Sequence, residues 1–125
     1  MSNLASPPRA YRESAVLSAG PEQLVVMLYD GARRFLHQAT IAMGDGQVEL
    51  AHRKLRRAED ILLHLRDTLD MEQGGEIASR LQSIYVFCQG YLLQARLDRD
   101  PAKVDRVSAM LGELRDAWAT IEQQR

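Results

Sequence analysis

The stretch Ala51-His52-Arg53-Lys54-Leu55-Arg56-Arg57-Ala58-Glu59-Asp60-Ile61-Leu62-Leu63-His64-Leu65-Arg66-Asp67-Thr68-Leu69 decides the fold. Its apolar residues Ala51, Leu55, Ala58, Leu62, Leu65 and Leu69 recur at alternating spacings of four and three, with mostly charged residues between them. Such a seam holds one narrow stripe of an α-helix against its neighbours and leaves the rest to water. Gly44-Asp45-Gly46 precedes the stretch and Gly74-Gly75 follows it, both helix breakers. A helix is therefore expected over about 47–70.

Working outward, the same spacing appears on both sides. A helix over about 21–43 opens with Pro21 at a position whose fixed φ suits it, and Glu22 lies in its first turn. Its inward stripe is read as Leu24, Leu28, Gly31, Phe35, Ala39 and Ala42, with Val25, Leu36 and Met27 on the flanks and Val26 nearly opposite. A third helix, about 75–99, carries Ile77, Leu81, Ile84, Cys88, Tyr91 and Ala95. A fourth, about 101–123, starts at the capping carboxylate of Asp100 and at Pro101, and carries Val104, Val107, Leu111, Leu114, Trp118 and Ile121. Long helices joined by short turns predict an all-α fold: an antiparallel up-down-up-down four-helix bundle over 21–125. Residues 1–20, with Pro7, Pro8, several serines and Gly20, read as a separate N-terminal capping segment whose Tyr11, Val16 and Leu17 need apolar cover.

The chain has 125 residues, enough for one domain, and 46% hydrophobic with 26% charged residues is an ordinary globular balance. A net charge of −1 argues against a generally basic nucleic-acid binder. The single cysteine, Cys88, excludes an internal disulfide framework and a cysteine zinc cluster. No apolar run is long enough to insert in a membrane, and no secretory signal stands at the start, so a cytoplasmic location is expected.

Candidate chemistry is sparse. A di-metal bundle site needs two Glu-x-x-His pairs facing inward, and one pair occurs, Glu49 and His52, on the outer side of its helix. Asp60 and His64 are read as a surface pair, His37 stands alone, and Cys88 is expected as a buried, inert thiol. No catalytic residue, metal or cofactor is assigned, and the chain is not read as an enzyme. The basic run Arg53-Lys54-Leu55-Arg56-Arg57 is expected to be a solvated face, paired along the helix with Glu49, Glu59 and Asp60.

What the bundle does not absorb is apolar surface. On a wheel of about 100° per residue, Val86, Leu93 and Leu97 fall opposite the third helix's stripe, while Tyr85, Leu92 and Phe87 fall on its flanks. A bundle cannot bury both sides of one of its helices, so another polypeptide is expected to cover this side. Candidate contacts are Met27, Ile61, Tyr85, Val86, Leu93 and Leu97. The cover is the N-terminal segment, a partner's amphipathic helix, or a second subunit of a homo-oligomeric structural bundle.

Residues 11–118 resemble the FliS family of flagellar export chaperones. The resemblance is carried by Ala10-Tyr11, Val16, Ala19 and Pro21, then Leu24-Val25-Val26-Met27-Leu28-Tyr29-Asp30-Gly31. Further matches are Arg57-Ala58-Glu59-Asp60-Ile61-Leu62, Glu76-Ile77-Ala78 and Leu114-Arg115-Asp116-Ala117-Trp118. One departure is Ser14, where the family often carries Asn. The resemblance implies no enzymatic activity and a bacterial cytosolic protein. It implies that the C-terminal region of flagellin binds along apolar grooves and is kept from premature polymerisation. It also implies delivery to the flagellar export gate for type III export, and a monomer or weak dimer. It assigns Tyr11 and Val16 to a movable cap over the same surface.

Overall fold

The computed structural model describes residues 21–123 as four helices: α1 (Pro21–Gly44), α2 (Val48–Asp67), α3 (Met71–Asp98) and α4 (Pro101–Gln123). The fold is an all-α four-helix bundle. The expected segment 1–20, with Tyr11 and Val16, lies outside the described residues.

Side-chain contacts give the relative directions of the helices. Arg96 of α3 bonds to Glu59 of α2 at 2.6 Å, while Arg66, further along α2, bonds to Gln89, further back on α3, at 3.1 Å. As one helix advances the other recedes, so the pair is antiparallel. Asp30 meets Arg115 while Arg33 meets Ser108, so α1 and α4 also run oppositely. The α1/α2 pair does the same: Ile61 packs beside Gly31, and Lys54 sits over the Phe35 ring. α1 lies closest to α2 and α4, and α3 completes the ring against the same two helices.

The turns follow their residue types. Gln47 and Gly46 carry the chain from α1 to α2, with Gly46 at φ 72°. α2 ends at Asp67, earlier than the spacing suggested, where the Thr68 hydroxyl donates to the His64 carbonyl. Asp70 then caps a new helical turn, accepting from the Gln73 amide at 3.0 Å. That turn, 71–74, starts α3 before the expected break, and the break itself falls at Gly75, φ 53° and ψ −126°. No L-residue holds that conformation without strain. Gly74 beside it has no room for a side chain, since a Cβ there would stand 2.6 Å from that of Ala78. At the far end Arg99, φ 52°, closes α3, and the Asp100 carboxylate caps α4 as expected, accepting from the Ala102 amide.

The α2 stripe is as read: Ala51, Leu55, Ala58, Leu62 and Leu65 are buried, and Leu69 packs against them. Two other stripes are displaced in part: Ala39 and Ala42 of α1 and Leu81, Cys88 and Ala95 of α3 are buried as expected, while the other positions shift by one or two residues. In α1 the buried residues are Val26, Tyr29, Ala32, Leu36, Ala39 and Ala42. Val26, expected nearly opposite the core, is inside it, and Leu28 and Phe35 sit at its edge. In α3 the buried residues are Ala78, Leu81, Tyr85, Cys88, Leu92 and Ala95, while Ile77 is 71% exposed. Hydropathy alone points the wrong way at several of these positions, since Leu28 and Ile84 are more apolar than the buried Tyr29 and Tyr85. Fit goes with the buried choice: Ala32 lets helices approach, and Tyr29 and Tyr85 find each other's hydroxyl. In α4, Val104, Val107 and Leu111 are buried, Leu114 and Trp118 pack at the edge, and Ile121 is exposed.

Candidate functional site

The apolar surface that the bundle leaves uncovered is concentrated on α3. Val86 is 46% exposed, Leu93 50% and Leu97 74%, and they fall on one side of the helix over successive turns. The expectation that these three face away from the core holds. Phe87, also exposed, stacks on Tyr91 at a ring separation of 5.3 Å on a neighbouring side. Leu63 of α2 is exposed as well, and the antiparallel register set by Glu59–Arg96 and Arg66–Gln89 brings it level with Leu92 and Leu93. The result is a shallow apolar face along the α2/α3 seam.

Gly90 belongs to this face. A glycine inside a helix costs about 1 kcal/mol relative to alanine. Nothing stands within 4 Å of where its side chain would be, so no packing within the bundle calls for glycine there. It leaves a flat spot between Val86 and Leu93, over which another helix can approach closely.

A second apolar feature opens at the end of the bundle where α1 begins. Val25, Leu69, Ile77, Leu81, Tyr85 and Trp118 line a groove of about 640 Å³, its open mouth included. Ile77, displaced from the expected core stripe, forms its outer wall. Tyr85 departs from the expectation of a surface contact: its ring is buried, and its edge reaches the floor of the groove. Its hydroxyl is hydrogen-bonded to that of Tyr29. Burial drives both phenols above the ordinary tyrosine range, and the adjoining Tyr85 hydroxyl pushes Tyr29 further. Cys88, one turn along α3, is buried as expected, which raises its thiol to about 11.

The remaining candidates separate. Met27 is half-buried on α1, and Ile61 packs beside Gly31 in the α1/α2 seam, so neither belongs to the α3 face. The basic run on α2 does not pair along its own helix as expected. Glu59 bonds instead across to Arg96, Lys54 lies over Phe35, and Arg53, Arg56 and Arg57 have no ion pair among the described residues. Among the described residues no group of His, Cys, Asp and Glu could hold a metal ion, and no helix is long and apolar enough to cross a membrane.

The family model described as "Flagellar protein FliS" matches residues 4–125, reaching further toward the N-terminus than the resemblance from Tyr11 onward. The chain is 39% identical over 110 residues to the flagellar secretion chaperone FliS of Salmonella typhimurium, covering 87% of this chain and 82% of that one. It is 36% identical over 109 residues to the protein of the same name from Vibrio cholerae, covering 87% and 80%. Against the flagellar secretion chaperone FliSB of Pseudomonas aeruginosa it is 34% identical over 106 residues, covering 85% and 84%. With the four-helix fold and the surplus apolar face already established, these matches show that the chain belongs to the FliS family of flagellar proteins.

Proposed function

We propose that this chain is a cytoplasmic flagellar export chaperone whose client is the C-terminal region of flagellin. The observation that carries the reading is the exposed row Val86, Leu93 and Leu97, with Gly90 between its members, on a chain similar to proteins named flagellar secretion chaperones. An amphipathic client helix laid on that row supplies the cover that the bundle lacks. A client held this way cannot use its own apolar stripe to assemble filament before type III export.

Residues 1–20 supply the cap in this proposal. They join α1 one turn before Val25, beside the groove lined by Leu69, Ile77 and Trp118. Val16 is five positions from Pro21, and an extended chain covers about 3.5 Å per residue, so Val16 and Tyr11 are within reach of the groove. A cap that competes with the client lowers the fraction of competent chaperone, and so tempers affinity in a way that permits release at the export gate.

The test is calorimetric titration of the purified chain with the C-terminal region of flagellin. Saturable binding is expected, with Leu93→Asp weakening it and the helical melt unchanged. Absence of binding would remove the client assignment. Light scattering should give a monomer at low micromolar concentration, whereas a stable dimer would assign the α3 face to self-association. Deleting residues 1–20 should raise affinity and slow dissociation, and unchanged values would remove the cap.

A further inference from the structure

We propose that the α2/α3 face is built for an amphipathic helix with an acidic end: its apolar stripe rests on Val86, Leu93 and Leu97, and its carboxylates meet Arg53, Arg56 and Arg99. The proposal rests on the client reading for its apolar half and adds the charge that the client must carry.

Three observations bring the basic groups to one end of the apolar row. The first is register: with Glu59 against Arg96 and Arg66 against Gln89, Arg56 lies level with Arg99, two residues beyond Leu97. The second is shape. Arg53, Arg56 and Arg57 line a surface hollow with His52 and Asp60. His52 also lines a neighbouring hollow of about 480 Å³, with apolar walls that include Val48, Leu55 and Pro101 and with Arg96 and Arg99 at its edge. The two hollows are neighbours, with His52 between them. The third is the pattern of pairing. Glu59 is taken by Arg96, whose buried Nε still has no acceptor. Arg53, Arg56 and Arg57 have no ion pair among the described residues, and the carboxylates closest along α2 are Glu49 and Asp60. Arg99 stands between Asp98, which is paired with Lys103, and Asp100, which caps α4, so the excess of cation lies mainly on α2.

Charge complementarity selects the occupant. A guanidinium presents a fork of N–H donors that matches a carboxylate, and arginines beside an apolar row suit acidic side chains flanking an apolar stripe. The chain's own segment 1–20 does not fit this end. It carries Arg9 and Arg12 against Glu13, and it joins the bundle at the opposite end, beside Val25. A second copy docked parallel through the same face would bring arginine against arginine, and an antiparallel copy would set Arg53, Arg56 and Arg99 against the far end of the row, where Arg80 is already paired with Glu76.

The test uses two synthetic helical peptides of about five turns with the same leucine stripe, one ending in a cluster of Glu and the other in a cluster of Lys. Each is titrated into the intact chain at low and high salt, and the C-terminal region of flagellin is titrated in parallel. The Glu peptide should bind about tenfold more tightly at low salt, with the difference shrinking as salt screens it. Arg53→Glu with Arg56→Glu should invert the preference while the circular-dichroism melt stays in place. Equal binding, no binding of either peptide, or a preference that survives the arginine changes would overturn the proposal. Flagellin binding without peptide charge preference leaves the chaperone reading intact and removes this one. Charge preference without flagellin binding does the reverse.

Discussion

The hydroxyls of Tyr29 on α1 and Tyr85 on α3 meet in a hydrogen bond inside the core, joining the two helices that face each other diagonally across the bundle. Their rings lie 6.4 Å apart and tilted at 42°. No side chain classed as polar or charged is buried among the described residues, so this bond is a polar link in an otherwise apolar core. It lies on the side of α3 that turns inward, opposite the exposed Val86, Leu93 and Leu97.

Removing one hydroxyl takes from the other its partner across the core. Tyr85→Phe and Tyr29→Phe should each cost about 1–3 kcal/mol of stability. The double variant should cost less than the sum, because two phenylalanines leave no orphaned polar group. Urea unfolding of the four proteins closes this cycle.

Leu92 and Leu93 are neighbours in sequence with opposite duties. Leu92 is fully buried, so Leu92→Ala should destabilise the bundle by about 2–5 kcal/mol. Leu93→Asp, on the exposed row, should leave the melting temperature within a few degrees of the parent and weaken client binding about tenfold or more. Equal loss of stability in both would place Leu93 in the core.

Gly90 gives a test in which stability and binding move apart. Gly90→Ala should stabilise the helix by about 0.5–1 kcal/mol, since its surroundings are open. Gly90→Leu should fold equally well and weaken client binding by blocking close approach. Thermal melts and titrations of both variants decide it.

Alkali should unfold the protein from the inside. Tyr29, Tyr85 and Cys88 all hold their protons more tightly in the folded chain than in the unfolded one. Above about pH 9 the unfolded state begins to release protons that the native state retains. The stabilisation is complete below that pH and is lost as pH rises toward the folded values. The melting temperature should fall between about pH 9 and 11, less steeply in the Tyr29→Phe/Tyr85→Phe variant. Over the same range Cys88 should react with a thiol reagent only when denaturant opens the core.

The hinge at Gly75 should be intolerant of side chains. Gly75→Ala places an L-residue at φ 53°, ψ −126°, at a cost of about 1–3 kcal/mol. Differential scanning calorimetry of this variant checks it.

Much of this protein is legible without coordinates. The four helices, the Asp100-Pro101 start of α4, the α2 stripe and the outward row Val86, Leu93 and Leu97 follow from spacing and capping chemistry, which act within a few residues along the chain. The inward sides of α1 and α3 do not. By hydropathy Leu28 outranks Tyr29 and Ile84 outranks Tyr85, yet the tyrosines are the buried ones, a choice made only when the neighbouring helix docks. Glu59 pairs with Arg96 rather than along α2, and Arg53, Arg56 and Arg57 have no ion pair among the described residues, which no helical wheel shows. Local periodicity says which residues share a side of a helix. Which side is buried, and which charges go unpaired, depends on groups far apart in sequence, such as positions 59 and 96, that meet only after the helices have docked.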